Sequence, residues 1–385
     1  MKAKRLLSLP PYLFEDLENR CREAASQGRD VIDLSVGDPD LSPPDSIINH
    51  LKTALAEDRH HLYPPQRGTA ELKASIRGYL KDRCGVEPSD DEILILIGSK
   101  EGIAHLPLAV CNPGDTVLVP DPGYPVYTST AQFAGCAVDR FVLEERRRFL
   151  PDFKELATRD LSRARLLFLN YPNNPTSATA TDAVFDTALR FGDEHGFVVA
   201  NDAAYADVYF DDRPPPLLCA QPRALESPMI EFFSFSKTFC VTGWRVGFAV
   251  GNRAVIDALA HLKANIDSGV FGAIQAAAAK TLETDGDRYA GAMRATFEKR
   301  RDLALESLGR LGFHCFPTYA TFYVWTRVPG ALNTMNYALD LLDKTDVLVT
   351  PGTGFGDAGE GYFRIALTQP DARIEEAVAR IAALR

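Results

Sequence analysis

The sequence lacks the features that mark several classes of protein. No run of about 18 apolar residues occurs in the 385-residue chain, so no transmembrane helix is expected. The seven cysteines are odd in number and scattered, with no Cys-x-x-Cys pair and no histidine at zinc-site spacing. Basic residues number 42 against 52 acidic ones, and the net charge of −10 argues against a broad nucleic-acid-binding surface. These absences predict a soluble, cytoplasmic protein with reduced thiols, no metal centre, and no nucleic-acid or membrane partner.

What the sequence does contain is an ordinary globular composition. It is 46% hydrophobic and 24% charged, and 385 residues are enough for a large core and two domains. The basic start Met-Lys-Ala-Lys-Arg is followed by Leu-Leu-Ser-Leu-Pro-Pro, which breaks off before a signal-peptide core forms. A secretory leader is therefore not predicted.

Strand and helix patterns alternate through residues 92–250. Such alternation is typical of right-handed βαβ units built on a mainly parallel sheet. The pattern then becomes helical to about residue 311 and α+β beyond it. We therefore expect an α/β protein with a large domain at 46–284 and a smaller α+β domain formed by 1–45, which includes an N-terminal arm, and 285–385. Strands of the smaller domain are expected at 313–316, 321–325, 347–350 and 362–367.

Lys237 follows an apolar β-type run and stands between small hydroxyl residues. Burial against apolar neighbours lowers a lysine pKa from ~10.4 and favours the neutral amine, which attacks aldehydes. Two hydroxyl donors, Ser234 and Ser236, and the guanidinium of Arg245 are groups that hold a phosphate. A phosphate-bearing aldehyde, pyridoxal 5'-phosphate (PLP), bound to Lys237 as a Schiff base fits both features. The plainer interpretation of Ser-x-Ser-Lys is a solvated turn.

Other polar residues also follow predicted strands. Ser99 comes after an apolar strand in Gly-Ser-Lys-Glu-Gly at a helix start, a layout that suits an anion, although an N-cap serine needs no ligand. Asn174 and Asp202 each follow another strand. Because ligands of parallel sheets bind beyond the carboxyl ends of the strands, we expect these residues and Lys237 to share one site.

Two residues near these strands allow two interpretations each. Tyr124 begins a helix, where its ring packs in the core or stacks on a flat heteroaromatic ligand. Gly37 ends the strand pattern at 31–36, either as a plain turn glycine or to let backbone approach a ligand closely. Both are candidate ligand contacts.

Taken together, seven ordered motifs resemble the fold-type I PLP aminotransferases. The resemblance spans nearly the whole chain and implies a PLP-dependent transferase fold of type I. Within that family, four segments are most similar in sequence to the LL-diaminopimelate aminotransferases. They are Pro-Pro-Tyr-Leu-Phe, Gly-Ser-Lys-Glu-Gly-Ile-Ala-His, Asn-Ile-Asp-Ser-Gly-Val-Phe and Gly-Glu-Gly-Tyr-Phe-Arg-Ile-Ala-Leu. The seven motifs are Gly98-Ser-Lys-Glu-Gly, Asp121-Pro-Gly-Tyr-Pro, Asn173-Asn-Pro-Thr, Asp202-x-x-Tyr, Ser234-x-Ser-Lys, Gly243-x-Arg-x-Gly and Phe363-Arg-Ile-Ala-Leu.

The resemblance implies a role for each residue of these motifs. Lys237 is the catalytic residue that holds the cofactor and carries the proton of the substrate's Cα. Asp202 keeps the pyridine nitrogen protonated so that the ring accepts electrons. Tyr205 and Asn174 bond the ring's phenolic oxygen, and Tyr124 stacks on the ring. The phosphate is assigned to Ser99, Lys100, Ser234, Ser236 and Arg245.

Substrate contacts and the assembly are implied in the same way. Arg364 clamps the α-carboxylate at two points. Tyr63 reaches the phosphate of a neighbouring subunit's cofactor, which implies a homodimer with shared active sites. Further substrate or cofactor contacts are expected at Tyr12, Gly37, Asn174 and Ser268.

The implied reaction is a ping-pong transfer between an amino acid, LL-2,6-diaminopimelate, and 2-oxoglutarate in lysine biosynthesis. The chain departs from the pattern at Ser177, where the family has glycine, and at Gln66 and Arg67, where a glutamate would bind the distal ammonium. Ser177 removes no ligand, but Gln66 and Arg67 offer no negative charge, which makes a dicarboxylic amino acid a candidate substrate and leaves an aspartate, alanine or glutamate aminotransferase as an alternative. A β-lyase and a ligand-sensing regulator on the same fold are the others, the regulator without a visible DNA-binding module.

Overall fold

The structure is a computed structural model and describes residues 3–7, 13–330 and 333–383. Its main element is a seven-stranded sheet in the order β2-β8-β7-β6-β5-β3-β4. Only β8 runs opposite to the other strands of this sheet, since it pairs antiparallel with both β2 and β7. The strands are β1 Ile32–Asp33, β2 Ile93–Leu96, β3 Thr116–Asp121, β4 Ala137–Val142, β5 Ala164–Leu169, β6 Val198–Asp202, β7 Met229–Ser234, β8 Gly247–Gly251, β9 Tyr323–Arg327, β10 Val347–Leu348, β11 Thr350–Pro351 and β12 Tyr362–Ala366.

Helices cover both faces of this sheet, which explains its uninterrupted apolar strands. In β2, Ile93 and Ile95 pack into one core, while Leu94 and Leu96 pack into the core on the other face. The α/β class with a mainly parallel sheet, expected from the sequence, is confirmed. The α-helices are α1 Lys4–Leu7, α2 Leu13–Ser26, α3 Asp45–Ala54, α4 Ala70–Cys84, α5 Ser99–Val110, α6 Val126–Phe133, α7 Phe153–Leu156, α8 Asp182–His195, α9 Phe235–Thr238, α10 Arg253–Ile266, α11 Gly272–Thr284, α12 Gly286–Arg310, α13 Thr334–Thr345 and α14 Asp371–Ala382.

Several helix ends follow directly from local sequence. The hydroxyl of Thr69 accepts a hydrogen bond from the backbone of Leu72 and begins α4, and Thr181 begins α8 in the same way. Gly85 and Gly196 end these two helices in the left-handed conformation that glycine adopts without strain. These signals are local, so the sequence alone predicts where the two helices begin and end.

Two smaller sheets lie in the C-terminal region, and one of them includes an N-terminal strand. Strand β1 pairs in parallel with β10, and β11, β12 and β9 form an antiparallel sheet. Ile32 and Leu34 accordingly lie in one core with Phe363 and Ile365. The division of the chain into domains at 46–284 and 1–45 plus 285–385 stays a prediction.

Two strand predictions were too long. The pattern at 31–36 yields a strand of only two residues, and the pattern at 313–316 yields a single bridge between Cys315 and Thr326. The second segment lies between Gly312, which has a φ of 72°, and Pro317, which has no N–H to continue a ladder.

Within the described ranges, no helix combines the length and the apolar character needed to cross a bilayer.

Candidate active site

A cavity of about 390 Å³ opens where β2, β5, β6 and β7 end. It brings together the predicted residues Ser99, Asn174, Asp202 and Lys237, as expected for the carboxyl edge of a parallel sheet. Tyr323 and Arg364 reach it from the antiparallel sheet of the C-terminal region. The lining residues are Gly37, Ser99, Lys100, Ile103, Tyr124, Asn170, Asn174, Asp202, Ala204, Tyr205, Ser234, Ser236, Lys237, Thr242, Arg245, Tyr323 and Arg364.

Lys237 lies on α9, a single helical turn that follows β7. The hydroxyl of Ser234 begins this turn by accepting a 3.3 Å hydrogen bond from the backbone of Ser236. The Nζ of Lys237 donates a 2.7 Å hydrogen bond to the carbonyl of Gly37. Burial lowers the pKa of this lysine to about 8. A considerable share of the amine is therefore neutral and nucleophilic near neutral pH.

Asp202 ends β6 as a buried carboxyl group. Burial raises its pKa to about 6, although a 2.9 Å hydrogen bond donated by the hydroxyl of Tyr127 and one donated by the backbone of Ala204 oppose this rise. Within the part of the chain that the structure describes, no lysine, arginine or histidine forms an ion pair with it. The charge of Lys237 also lowers the pKa of Asp202, but without a direct ion pair, so a ligand that presents a positively charged N–H suits this buried carboxylate.

An anion cradle forms at the start of α5. Gly98 precedes the helix with a φ of 74°, and Ser99 is its first residue. Lys100 lies in the first turn, and burial, followed by the nearby charge of Arg245, lowers its pKa. A side chain at Gly98 would place its Cβ 2.5 Å from Nη2 of Arg245, so glycine is required for this close approach. Among the described residues, the buried hydroxyl Oγ of Ser236 finds no hydrogen-bond partner, as expected of a donor that serves a bound oxyanion.

Arg364 projects from β12 and is buried. Its Nη1 donates a 2.7 Å hydrogen bond to Oδ1 of Asn174, and its Nη2 donates a 2.5 Å hydrogen bond to the carbonyl of Ser35. The guanidinium lies 4.0 Å from the ring centroid of Tyr323. These contacts hold the planar fork in one orientation, which is what two-point binding of a carboxylate requires.

Sequence reasoning missed four of the residues that complete the cavity or support it. The hydroxyl of Tyr323 lies 2.8 Å from the hydroxyl of Tyr205, and a Cβ on Gly37 would lie 1.9 Å from the same Tyr323 oxygen. Tyr127 holds Asp202, and Asn170 donates a 2.7 Å hydrogen bond to the backbone carbonyl of Asp202. Tyr127 and Asn170 lie beside quoted motifs, so their sequence position was a usable signal. Thr242 also lines the cavity.

Two predicted contacts do not line the cavity, and a third falls on a residue that the structure does not describe. Tyr63 is 92% exposed, and Ser268 lies exposed in the loop after α10. Their segments nevertheless touch, because a Cβ on Gly269 would lie 2.8 Å from the carbonyl of Pro65. Tyr12 lies outside the described residues.

Comparison with known proteins gives a consistent result over the full length. Residues 29–381 match the family model described as aminotransferase class I and II. An LL-diaminopimelate aminotransferase of Natranaerobius thermophilus is 45% identical over 380 residues, covering 98% of either chain. Substrate-bound BacF from Bacillus subtilis has a TM-score of 0.95 at 32% identity and covers 100% of this chain and 98% of its own. A mutant aspartate aminotransferase of Thermus thermophilus has a TM-score of 0.93 at 26% identity, with both chains fully covered.

Proposed function

The chain belongs to the class I and II aminotransferases, and from this we propose that it moves an amino group between LL-2,6-diaminopimelate and 2-oxoglutarate with PLP held in the strand-end cavity. Its substrates as an aminotransferase are an amino acid and an oxo acid. The observation that carries the proposal is the Lys237 amine, whose pKa is lowered to about 8. It faces the same cavity as the buried carboxylate of Asp202 and the anion cradle.

Besides Lys237, the residues present fit PLP at two points. The anion cradle, defined as Ser99, Lys100, Ser236 and Arg245, suits the phosphate because it combines hydroxyl donors, cations and the start of α5. The unpartnered hydroxyl of Ser236 is the clearest of these signs. Asp202 suits the protonated pyridine nitrogen, since that N–H would supply the cation that its carboxylate lacks.

When bound, PLP supplies an aldehyde that links covalently to amines and a ring that withdraws electrons from the substrate's Cα. The chain's own residues supply the rest. Arg364 binds the α-carboxylate through its fork and orients the Cα–H bond toward Lys237. Nζ of Lys237 in its neutral form takes the Cα proton and later returns a proton, because a pKa near the working pH serves both directions. With PLP bound, Tyr205 and Asn174 would donate hydrogen bonds to the ring oxygen, and Tyr124, which also lines the cavity, would pack on the ring.

The choice of diaminopimelate rests on the relatives and on the surroundings of Arg67. The sequence suggested that this arginine would favour a dicarboxylic amino acid. In the structure its Nη1 forms a 2.9 Å ion pair with Asp257, and Arg67 does not line the cavity. Its charge is thus engaged on its own subunit, which weakens the case for a dicarboxylic substrate. Relatives 43–45% identical are named LL-diaminopimelate aminotransferases, which supports diaminopimelate and a place in lysine biosynthesis.

We also propose a homodimer whose two active sites share residues. Four apolar side chains, Leu62, Tyr63, Ile266 and Phe271, are exposed on adjoining segments and are called the Tyr63 patch below. Leu62 is 71% exposed and Tyr63 is 92% exposed, a cost to solubility that a partner surface removes. In the proposed dimer Tyr63 reaches the phosphate of the partner subunit's cofactor. The seven cysteines are all free thiols, in agreement with a cytoplasmic location.

The absorption spectrum of the PLP-loaded protein tests the proposal. LL-diaminopimelate and glutamate, added singly without an oxo acid, should each convert the cofactor band to that of the amine form, and 2-oxoglutarate should restore it. Conversion by alanine or aspartate but not by diaminopimelate would overturn diaminopimelate as the amino donor. The aminotransferase reaction itself would still stand. Release of pyruvate and ammonia from cysteine-type substrates without an oxo acid would instead identify a β-lyase. Failure to bind PLP would overturn the proposal as a whole.

A further inference from the structure

A buried lysine outside the cavity joins two segments of the site. Lys263 lies in α10 with no exposed side-chain surface, and its Nζ lies 3.1 Å from Oε2 of Glu101. The same ammonium donates to the carboxylate of Asp267, the residue after α10. Glu101 in turn lies 3.0 Å from Nδ1 of His105, one turn further along α5. Four titratable side chains, those of Lys263, Glu101, Asp267 and His105, are therefore held together beside the start of α5.

The desolvation cost of burying the Lys263 ammonium distinguishes its ion pairs from weak, solvent-exposed ones. A buried ammonium is expensive unless carboxylates compensate it, and removal of one partner leaves an uncompensated charge. Burial raises the pKa of Glu101, but contacts with His105 and Lys263 outweigh it and hold the pKa below its usual range. Glu101 is consequently ionised at neutral pH, and the Lys263 ammonium is its buried counter-charge.

Glu101 connects this lysine to the anion cradle. Its Oε2, the oxygen that faces Lys263, also accepts a 2.8 Å hydrogen bond from the backbone N–H of Ile97. Ile97 precedes Gly98 and Ser99, the turn at which α5 begins. The carboxylate thus fixes the backbone of the turn that presents the helix start to the phosphate.

Asp267 connects the same lysine to the loop 267–271. Its backbone N–H donates a 3.0 Å hydrogen bond to the carbonyl of Lys263, and its side chain accepts from the Lys263 ammonium. Two residues later, Gly269 packs so closely on Pro65 that a Cβ would lie 2.8 Å from the proline carbonyl. The loop therefore touches the segment that carries the Tyr63 patch.

We propose that Lys263 is a positioning residue, which with Glu101 and Asp267 locks the phosphate-binding turn to the loop 267–271 and so to the Tyr63 segment. This inference rests on the proposed function, because it assigns the turn to the phosphate of PLP. The lock acts on the phosphate end of the site alone, since Lys237 and Asp202 lie on other elements. Loss of the Lys263 contacts therefore lowers the affinity for PLP but leaves the affinity for pyridoxal, which has no phosphate, unchanged.

Spectroscopic titration of the full-length, cofactor-stripped protein with PLP and with pyridoxal tests the inference. In Lys263→Met and in Glu101→Gln, the Kd for PLP should rise at least about tenfold, the size of one lost charge-assisted hydrogen bond. The Kd for pyridoxal should stay within about twofold, because no phosphate contact is at stake. Lys280→Met is the matched control, since Lys280 is an exposed lysine of α11 paired with Glu283. It should leave both constants unchanged.

The outcomes separate the inference from its premise. A parallel loss of PLP and pyridoxal affinity in the variants would indicate general disorder and overturn the positioning role, as would unchanged affinity for both ligands. If Lys263→Met does not fold, the near-isosteric Glu101→Gln decides the question alone. Wild-type protein that binds no PLP would overturn the proposed function instead.

Discussion

Arg364 and Asn174 are joined by a 2.7 Å hydrogen bond from Nη1 to Oδ1. The residue assigned to the substrate's carboxylate thus supports the orientation of a residue assigned to the cofactor. The guanidinium also lies 4.0 Å from the ring centroid of Tyr323, which further restricts its position. Replacement of Arg364 itself is therefore expected to affect substrate binding first.

Arg364→Ala should raise the KM for the amino acid about 100-fold, since it removes a two-point charged contact worth about 3 kcal/mol. The affinity for PLP should change far less, because Lys237 and the anion cradle remain. Steady-state kinetics and cofactor titration measure the two effects. Arg364→Lys keeps the positive charge but loses the two-point geometry of the guanidinium, so its KM for the amino acid should lie between those of the wild type and Arg364→Ala. An unchanged KM in Arg364→Ala would place the carboxylate site elsewhere.

Gly37→Ala should damage the site although it adds a single methyl group. The new Cβ would lie 1.9 Å from the hydroxyl of Tyr323, so the backbone that accepts the hydrogen bond of Lys237 must shift. We expect at least a tenfold fall in kcat/KM, equivalent to ~1.4 kcal/mol. Gly78→Ala is the matched control, because Gly78 lies inside α4 with no atom within 4 Å of a built Cβ. That variant should keep full activity and gain ~1 kcal/mol of stability.

Tyr323→Phe removes only the hydroxyl that lies 2.8 Å from Tyr205. The ring that packs on Arg364 remains, so we expect the KM for the amino acid to change less than twofold. Loss of this buried hydrogen bond should lower kcat by about threefold to tenfold, the effect of ~1 kcal/mol on the orientation of Tyr205. Steady-state kinetics resolve the two parameters. A large rise in KM with normal kcat would show that the hydroxyl contacts the substrate directly.

Asp202→Asn should stabilise the cofactor-free protein at neutral pH. The folded pKa of about 6 lies above the ordinary value of 3.8, so the folded state holds its proton more tightly than the unfolded state. The stability of the wild type therefore falls as pH rises through this interval and stays lower above it. A shift of about two pH units corresponds to ~3 kcal/mol at pH 7, which the neutral amide removes.

Denaturant unfolding at pH 4 and pH 7 measures this effect. The gain of Asp202→Asn should be seen at pH 7 and be nearly absent at pH 4, where the wild-type carboxyl is protonated. The same variant should lose most of its aminotransferase activity, since the amide no longer holds a positively charged ring nitrogen. Equal free energies of unfolding for the wild type and Asp202→Asn at pH 7 would show that burial of the Asp202 carboxylate costs no stability.

Tyr63→Asp should weaken the homodimer by placing a charge in the centre of the Tyr63 patch. We expect the dimer dissociation constant to rise at least about tenfold, with activity falling at low protein concentration. Sedimentation velocity measures the first effect and dilution assays the second. Val142→Asp is the control, since Val142 is 53% exposed on β4, the edge strand of the large sheet. A monomeric wild type would refute the assembly.

Much of the site was predictable because strand ends are visible in the sequence. Ser99, Asp202 and Lys237 each follow an apolar run, and the ends of parallel strands meet at one edge of a sheet. Arg67 shows the limit of such reasoning, since its partner Asp257 lies far away in the sequence on α10. Its charge was visible, but its pairing was not.

Tyr323 and Lys263 show what the tertiary structure alone decided. Tyr323 belongs to an apolar strand pattern typical of a core residue, and only the packing of β9 near the segment that follows β6 brings its hydroxyl to Tyr205. Lys263 looks like a surface lysine on a helix, and only packing against α5 makes it the buried partner of Glu101. The helix ends, the apolar strands and the polar residues that follow them can be predicted without a structure, because they depend on neighbours along the chain. Contacts between distant elements depend on how those elements pack, and no local pattern encodes that.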